Sequence, residues 1–301
     1  MTRPFCVCVP ARNEVDHIGT LIEALAAQTI ASTIRVALCA NNCSDATADV
    51  ARAVARRFGN IALAVDERSF DAPAAHAGSA RRGAMDLGVE MLQDDRGLLI
   101  STDADCRPPP GWIAANLAAA ADDHILGGRI DLDPQADAPI GILRLRARFD
   151  RYWQQVREIE DGLDPRPWDP PPRHGDHTGA SLALTAALYR RAGGVPLIAT
   201  GEDRALVDAA VAVGGRLLHP PGVWIWVSPR TDGRAAGGMA DVMRAWADAA
   251  DEGAAVHVPH FDQWRSRAAW RRDRRVRGLG RELILAERRL APMICDMALP
   301  E

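Results

Sequence analysis

Leu98-Leu99-Ile100-Ser101-Thr102-Asp103-Ala104-Asp105 is the stretch that decides the fold. Its opening is continuously apolar rather than alternating, the pattern of a strand buried on both faces, and such strands belong to parallel sheets covered by helices. Two carboxylates one residue apart follow where that strand meets solvent. In extended backbone, residues i and i+2 point the same way. Asp103 and Asp105 are therefore expected to address one hard cation through oxygen, leaving it open to phosphate oxygens. A metal so placed neutralises charge on a departing diphosphate. An isolated Asp-x-Asp recurs by chance and often caps turns; here it follows a buried strand and precedes Arg107, three prolines and Trp112.

The same rhythm runs upstream. Residues 5–10 (Phe-Cys-Val-Cys-Val-Pro) read as a buried strand ended by proline, and Ile18, Leu21, Ile22 and Leu25 mark a helix that Asn13 or Asp16 can cap. Residues 34–40 are a second strand, 41–45 a polar turn, 46–58 a helix, 61–65 a third strand, 80–92 a helix and 97–102 the fourth strand. In such sheets ligands sit at the carboxyl ends of the strands. The polar residues 10–14, 41–45 and 103–105 are thus predicted to converge on one crevice. Downstream, 127–132 reads as a strand, 143–160 as a helix, 177–184 as a core run, 188–194 and 202–214 as helices, and 216–219 and 223–227 as short strands. Residues 164–176 carry five prolines among charged residues, a loop suited to be a lid or an acceptor loop.

The 301 residues and 32.5 kDa allow one large α/β domain with additions, or two small ones. A net charge of -4 gives no reason to expect nucleic acid as a partner. Every basic residue is arginine, a compositional bias. Cys6, Cys8, Cys39, Cys43, Cys106 and Cys295 show no Cys-x-x-Cys pair, and the pattern predicts reduced, buried thiols in a cytoplasmic protein. Neither a signal-like N-terminus nor an apolar run long enough to span a bilayer is present. Residues 264–290 carry ten arginines against three acids around Trp264, Trp270, Leu279, Leu283, Ile284 and Leu290. Such a tail can lie peripherally on an anionic membrane surface, dock on a partner, or pack on its own domain.

Val9-Pro10-Ala11-Arg12-Asn13-Glu14, Asn41-Asn42-Cys43-Ser44-Asp45-Ala46-Thr47, Thr102-Asp103-Ala104-Asp105 and Gly201-Glu202-Asp203, in this order, resemble glycosyltransferase family 2, of the type A glycosyltransferase fold. The resemblance implies an α/β fold: a Rossmann-like nucleotide-sugar-binding domain on a mixed, mainly parallel sheet, with a C-terminal helical extension. It places a catalytic domain at 1–235, with a nucleotide-binding half at 1–130 and an acceptor half at 131–235, and an arginine-rich helical extension at 236–301. By the same resemblance Pro10, Ala11, Arg12 and Glu14 line the nucleoside pocket. Asn41 stands where many members carry an aspartate, a swap that removes charge but keeps hydrogen-bonding capacity.

The resemblance further implies that Asp105 is the main ligand of Mn2+ or Mg2+, and that Asp103, beside Ala104, is shared between metal and sugar. Asp203 becomes the general base and Glu202 its neighbour in the acceptor site. His177, Gly179, Ala180 and Ser181 form the floor of the sugar and acceptor site, with His177 and Trp112 on the acceptor side. Arg230 and Arg234 sit in a guanidinium-rich loop that can close over a diphosphate, and His219 is a possible third metal ligand. The Gln-x-x-Arg-Trp signature and membrane helices of the family's processive synthases are absent, which implies a single transfer. The implied reaction moves a sugar, with inversion, from a UDP- or GDP-sugar to a hydroxyl of a small-molecule, glycan or lipid-linked acceptor, and a homodimer is the oligomeric expectation. A nucleotidyltransferase of similar fold needs a glycine-rich loop after the first strand, which 10–14 lacks. A non-catalytic binding module would use the acids as caps and the arginine-rich tail to hold a partner.

Overall fold

The apolar runs become strands of one sheet, and the helices between them cover both of its faces. The computed structural model describes residues 3–233 and 238–301. In chain order the elements are β1 (Phe5–Ala11), α1 (Ile18–Ala26), β2 (Ile34–Asn41), α2 (Thr47–Ala55), β3 (Ile61–Arg68), α3 (Ala77–Leu92), β4 (Leu98–Ser101) and α4 (Trp112–Ala119). There follow β5 (His124–Gly127), β6 (Arg129–Leu132), α5 (Ile140–Leu163), β7 (Leu182–Thr185), α6 (Ala186–Arg191), α7 (Glu202–Ala212), β8 (Arg216–Leu218) and β9 (Trp224–Val227). The last are α8 (Met239–Glu252), β10 (His257–Val258), α9 (Phe261–Val276), α10 (Leu283–Glu287) and β11 (Met297–Ala298).

Seven strands form the main sheet in the order β3-β2-β1-β4-β7-β5-β8. Only β7 runs antiparallel to its neighbours; the other pairs are parallel. Continuous burial follows from the two-faced cover. Phe5, Val7 and Val9 of β1 enter one apolar cluster, with residues of α1 and α2, while Cys6 and Cys8 enter the other, with residues of α3, α6 and α7. Helix α3 lies unusually close to the sheet. A Cβ added at Gly88 would stand 2.6 Å from the Cys8 sulfur, and one at Gly83 would stand 2.8 Å from the Cys39 sulfur. Four cysteines are buried, Cys43 is half-buried and Cys295 is exposed; none forms a disulfide.

Two expectations are corrected. The single strand predicted at 127–132 is broken at Gly127-Gly128: β5 stays in the main sheet, and β6 leaves it to pair in parallel with β9. A Cβ at Gly128 would overlap the hydroxyl of Ser181, so the chain can pass there only without a side chain. Nor does Asn13 or Asp16 cap α1, whose N-cap is His17 with no side-chain bond. Asn13, at φ 54°, instead accepts the backbone N–H of Ser44 at 2.8 Å, tying the loop after β1 to the loop after β2.

The described residues pack as two units: 3–133, 176–228 and 238 in the first, and 134–175, 229–233 and 239–301 in the second. Residues 134–175 thus group with the C-terminal helices, a grouping that cuts across the division expected at 235. The core of the second unit holds Leu145, Tyr152 and Val156 from α5 together with Val258 and Leu299. The Tyr152 hydroxyl donates to the Pro259 carbonyl at 2.8 Å and accepts from the Trp264 indole at 2.7 Å. Much of the tail's positive charge is spent inside this unit: Arg271 pairs with Glu160 and Glu287, and Arg275 with Asp164. The proline-rich segment is tethered as well. Arg173 meets Asp161 at 2.7 Å and Asp169 at 3.6 Å, with the Arg173 and Asp169 side chains 2% and 3% exposed. Among the described residues, no helix is long and apolar enough to cross a membrane.

Candidate functional site

Strand β4 ends at Ser101, and the chain then turns sharply, the N–H of Cys106 donating to the Asp103 carbonyl at 3.2 Å. The segment is therefore a turn and not the extended backbone on which the alternation argument rests. It still presents both carboxylates: Ala104 and Cys106 are buried, whereas Asp103 and Asp105 are partly exposed. Pairing of β4 with β1, continued by the Thr102 N–H to the Cys8 carbonyl at 3.1 Å, sets this turn beside the loop that follows β1. The turn is anchored on its far side too. Arg107 exchanges backbone bonds with Trp226, lies over its ring at 3.9 Å and forms a two-point ion pair with Asp133 at 2.5 and 2.7 Å.

At the centre lies Arg81 of α3, a residue the sequence reading does not single out. Its Nε donates to Glu202 at 3.0 Å, Nη1 to Ser101 Oγ at 2.8 Å and to the Gly179 carbonyl at 3.1 Å, and Nη2 to Asp103 Oδ1 at 2.8 Å. Burial works against the guanidinium charge, but Asp103, Glu202 and Asp203 outweigh it and push the pKa of Arg81 upward. A signal for it exists. Arg81 shares the buried stripe of α3 with Ala84, Met85, Gly88 and Leu92, and a charge on an apolar stripe demands a partner.

The acceptor-side acids open helix α7, whose N-cap Gly201 sits at φ 74°. Glu202 is buried and gives its carboxylate to Arg81. Asp203 is partly exposed; its Oδ2 accepts the Gly179 N–H and its Oδ1 the Arg204 N–H, each at 2.7 Å. Arg204 thus reaches Asp203 through its backbone, while its own side chain is exposed.

On the opposite side the loop after β1 and the end of β2 meet the segment before α3. Pro10 is partly exposed, Ala11 and Glu14 are buried, and Arg12 is exposed with its guanidinium on the Ala75 carbonyl at 3.0 Å. Asn41 is 1% exposed; its Nδ2 donates to the His76 carbonyl at 3.0 Å, and its Oδ1 has no hydrogen-bond partner. An aspartate there would turn an oxygen toward that carbonyl, so the amide suits this site. Asp45 stitches the two loops, accepting from Thr47 N–H at 3.0 Å, Thr47 Oγ1 at 2.5 Å and Val15 N–H at 3.2 Å. Burial tends to raise its pKa, but these bonds prevail and lower it.

Other predicted site residues fare differently. Trp112 is fully buried, with its indole N–H on Ser181 Oγ at 3.0 Å, so it belongs to the core and offers no surface to an acceptor. His177 and the buried His219 face one another, ring nitrogens 3.4 Å apart. Arg230 lies in the second unit, and Arg234 lies outside the described residues.

Among the described residues no three His, Cys, Asp or Glu side chains gather to hold a metal. The oxygen-only pair Asp103 and Asp105, with Asp103 Oδ1 already on Arg81, fits a cation that takes most of its ligands from water and a diphosphate.

A family model described as Glycosyltransferase like family 2 matches residues 3–159. No curated protein matches the sequence. Among solved structures, S. aureus TarS 1-349 is similar at 16% identity and a TM-score of 0.51, over 90% of this chain and 72% of that one. The same protein in complex with UDP-GlcNAc gives 15% and 0.53, over 90% and 73%. The mannosyltransferase PcManGT from Pyrobaculum calidifontis, in complex with GDP-Man and Mn2+, gives 18% and 0.51, over 94% and 86%.

Proposed function

Because the chain belongs to glycosyltransferase-like family 2, we propose that it moves a sugar from a UDP- or GDP-sugar to an acceptor hydroxyl with inversion, using Asp203 as general base. The observation that carries this reading is the connected set Asp103–Arg81–Gly179–Asp203, which joins the carboxylates after β4 to the acid at the start of α7. Donor complexes of the similar structures, UDP-GlcNAc in one and GDP-Man with Mn2+ in another, support the donor class.

In this mechanism Pro10 and Arg12 are the accessible groups that meet the nucleoside, and the buried Ala11, Glu14 and Asn41 shape the pocket behind them. Asp105, helped by Asp103, would hold Mn2+ or Mg2+, which would supply positive charge to the diphosphate leaving group. Asp203 accepts the proton of the attacking hydroxyl while its oxygen displaces the diphosphate from the anomeric carbon. The carboxylate can do this because its two observed bonds come from backbone N–H groups, which hold its orientation without neutralising it by an ion pair.

Thermal shift with UDP and with GDP, with and without Mn2+, tests the donor side. A diphosphate at 100 times its Kd should stabilise the protein by about 2.7 kcal/mol. Asp105→Ala should remove the Mn2+-dependent part. Asp203→Asn should leave the shift in place and lower turnover by about 10²–10⁴-fold. If neither diphosphate, with or without Mn2+, raises the melting point, the proposal fails.

A further inference from the structure

Arg81 does more than neutralise a buried acid. We infer that Arg81 is a positioning residue, which through the two backbone groups of Gly179 sets the general base Asp203 against the donor-side carboxylate Asp103. The inference rests on the transferase reading above.

Four groups fix the guanidinium: Asp103 on the turn after β4, Glu202 at the start of α7, Ser101 Oγ at the end of β4 and the Gly179 carbonyl in the loop before β7. Its side chain is 6% exposed, so water does not compete for these bonds. Gly179 passes the constraint on. Its carbonyl accepts from Arg81 and its N–H donates to Asp203 Oδ2 at 2.7 Å, so the loop residue is held from both sides. Only glycine leaves room, because a Cβ at 179 would overlap the guanidinium. Gly179 is not among the residues at positive φ, so its absent side chain serves space and not backbone freedom.

The arrangement also separates the paired acids of α7. Glu202, 7% exposed at its side chain, spends its carboxylate on Arg81, while the partly exposed Asp203 faces the site. Glu202 thus holds the holder, and proton transfer falls to Asp203 alone.

The test measures kcat and KM for release of UDP or GDP from the sugar nucleotide in the presence of Mn2+, with water as acceptor. Isothermal titration of UDP or GDP with Mn2+ gives binding separately, and circular dichroism checks the fold. Gly179→Ala pushes the guanidinium aside without altering any acid, and should lower kcat by about 10–100-fold while changing KM far less. Glu202→Gln keeps an oxygen for Arg81 Nε and should retain at least about tenfold more turnover than Glu202→Ala, a rescue that a proton-transfer role would forbid. Should Gly179→Ala fail to fold, the Glu202→Gln and Glu202→Ala comparison decides alone. Turnover of Gly179→Ala within twofold of the parent, or Glu202→Gln as inactive as Asp203→Asn, overturns the inference. Failure of the parent protein to bind either diphosphate overturns the transferase reading instead, so the two failures are distinguishable.

Discussion

Replacement of Gly88 by alanine probes how closely α3 is set on the sheet. In a helix interior alanine is normally the better residue by about 1 kcal/mol. Here the added Cβ would stand 2.6 Å from Cys8 Sγ and 3.1 Å from Leu99 Cδ2, both in fully buried side chains. Neither neighbour is the free end of a flexible chain, so α3 itself must move outward. Overpacking of this kind costs about 1–3 kcal/mol. Set against the helix gain, the net loss is about 0–2 kcal/mol. With a urea m-value of about 2 kcal/mol/M the midpoint should fall by up to roughly 1 M. The double variant Gly88→Ala with Cys8→Ala removes the nearer obstacle, and the two changes should couple favourably by about 1 kcal/mol. Urea unfolding followed by far-UV circular dichroism reads all four corners of this cycle. A Gly88→Ala protein more stable than its parent, or additive losses in the double variant, would refute the close-packing argument.

Further consequences concern charge and thiols. Arg173→Ala should destabilise the protein by about 1.5–3 kcal/mol, because Asp161 and the buried Asp169 each lose a charged partner while Asp169 keeps Arg166; a melting point within a degree of the parent would contradict this. Asp45→Ala should cost about 1–2 kcal/mol near neutral pH. Since the Asp45 pKa is lowered on folding, its contribution is complete above the unfolded value of about 3.9 and is lost as pH falls through the folded one. Urea midpoints of the two proteins should accordingly converge in acid and separate as pH rises. With an aromatic disulfide reagent, Cys295 should react first and Cys43 next. Cys8, Cys39 and Cys106 should wait for unfolding, since burial pushes Cys39 up to about 12 and the other two well above the ordinary thiol value.

The parallel half of the sheet was legible in the sequence because its signals are local. A short apolar run such as 34–40, bounded by polar turns, reads as a strand covered on both faces, and the loops after β1, β2 and β4 then meet through the order of the strands. What escaped was set by residues far away along the chain. The break at Gly128 answers to Ser181, and the burial of Trp112 answers to the same hydroxyl. Asp103 and Asp105 do follow β4 and are partly exposed, but they stand on the turn closed at Cys106 and not on the extended backbone from which their alignment is argued. Arg81 was hidden for another reason: periodicity describes what a helix face buries, and a charge on that face names a partner without saying which one.

The make-up of the second unit bears on the order in which the chain can fold. Strands β1 to β4 and their helices are consecutive, so that half of the sheet can close while synthesis continues. Helix α5 has no such neighbours. Its Leu145, Tyr152 and Val156 are covered by Val258 and Leu299, and Arg148 donates to the carbonyls of Leu299 and Pro300. At roughly 5–20 residues per second, α5 waits on the order of ten seconds for those partners to leave the ribosome. During that interval its apolar stripe is open to other chains. Aggregation during synthesis, more than loss of the finished fold, is therefore where shortening residues 239–301 should first be felt.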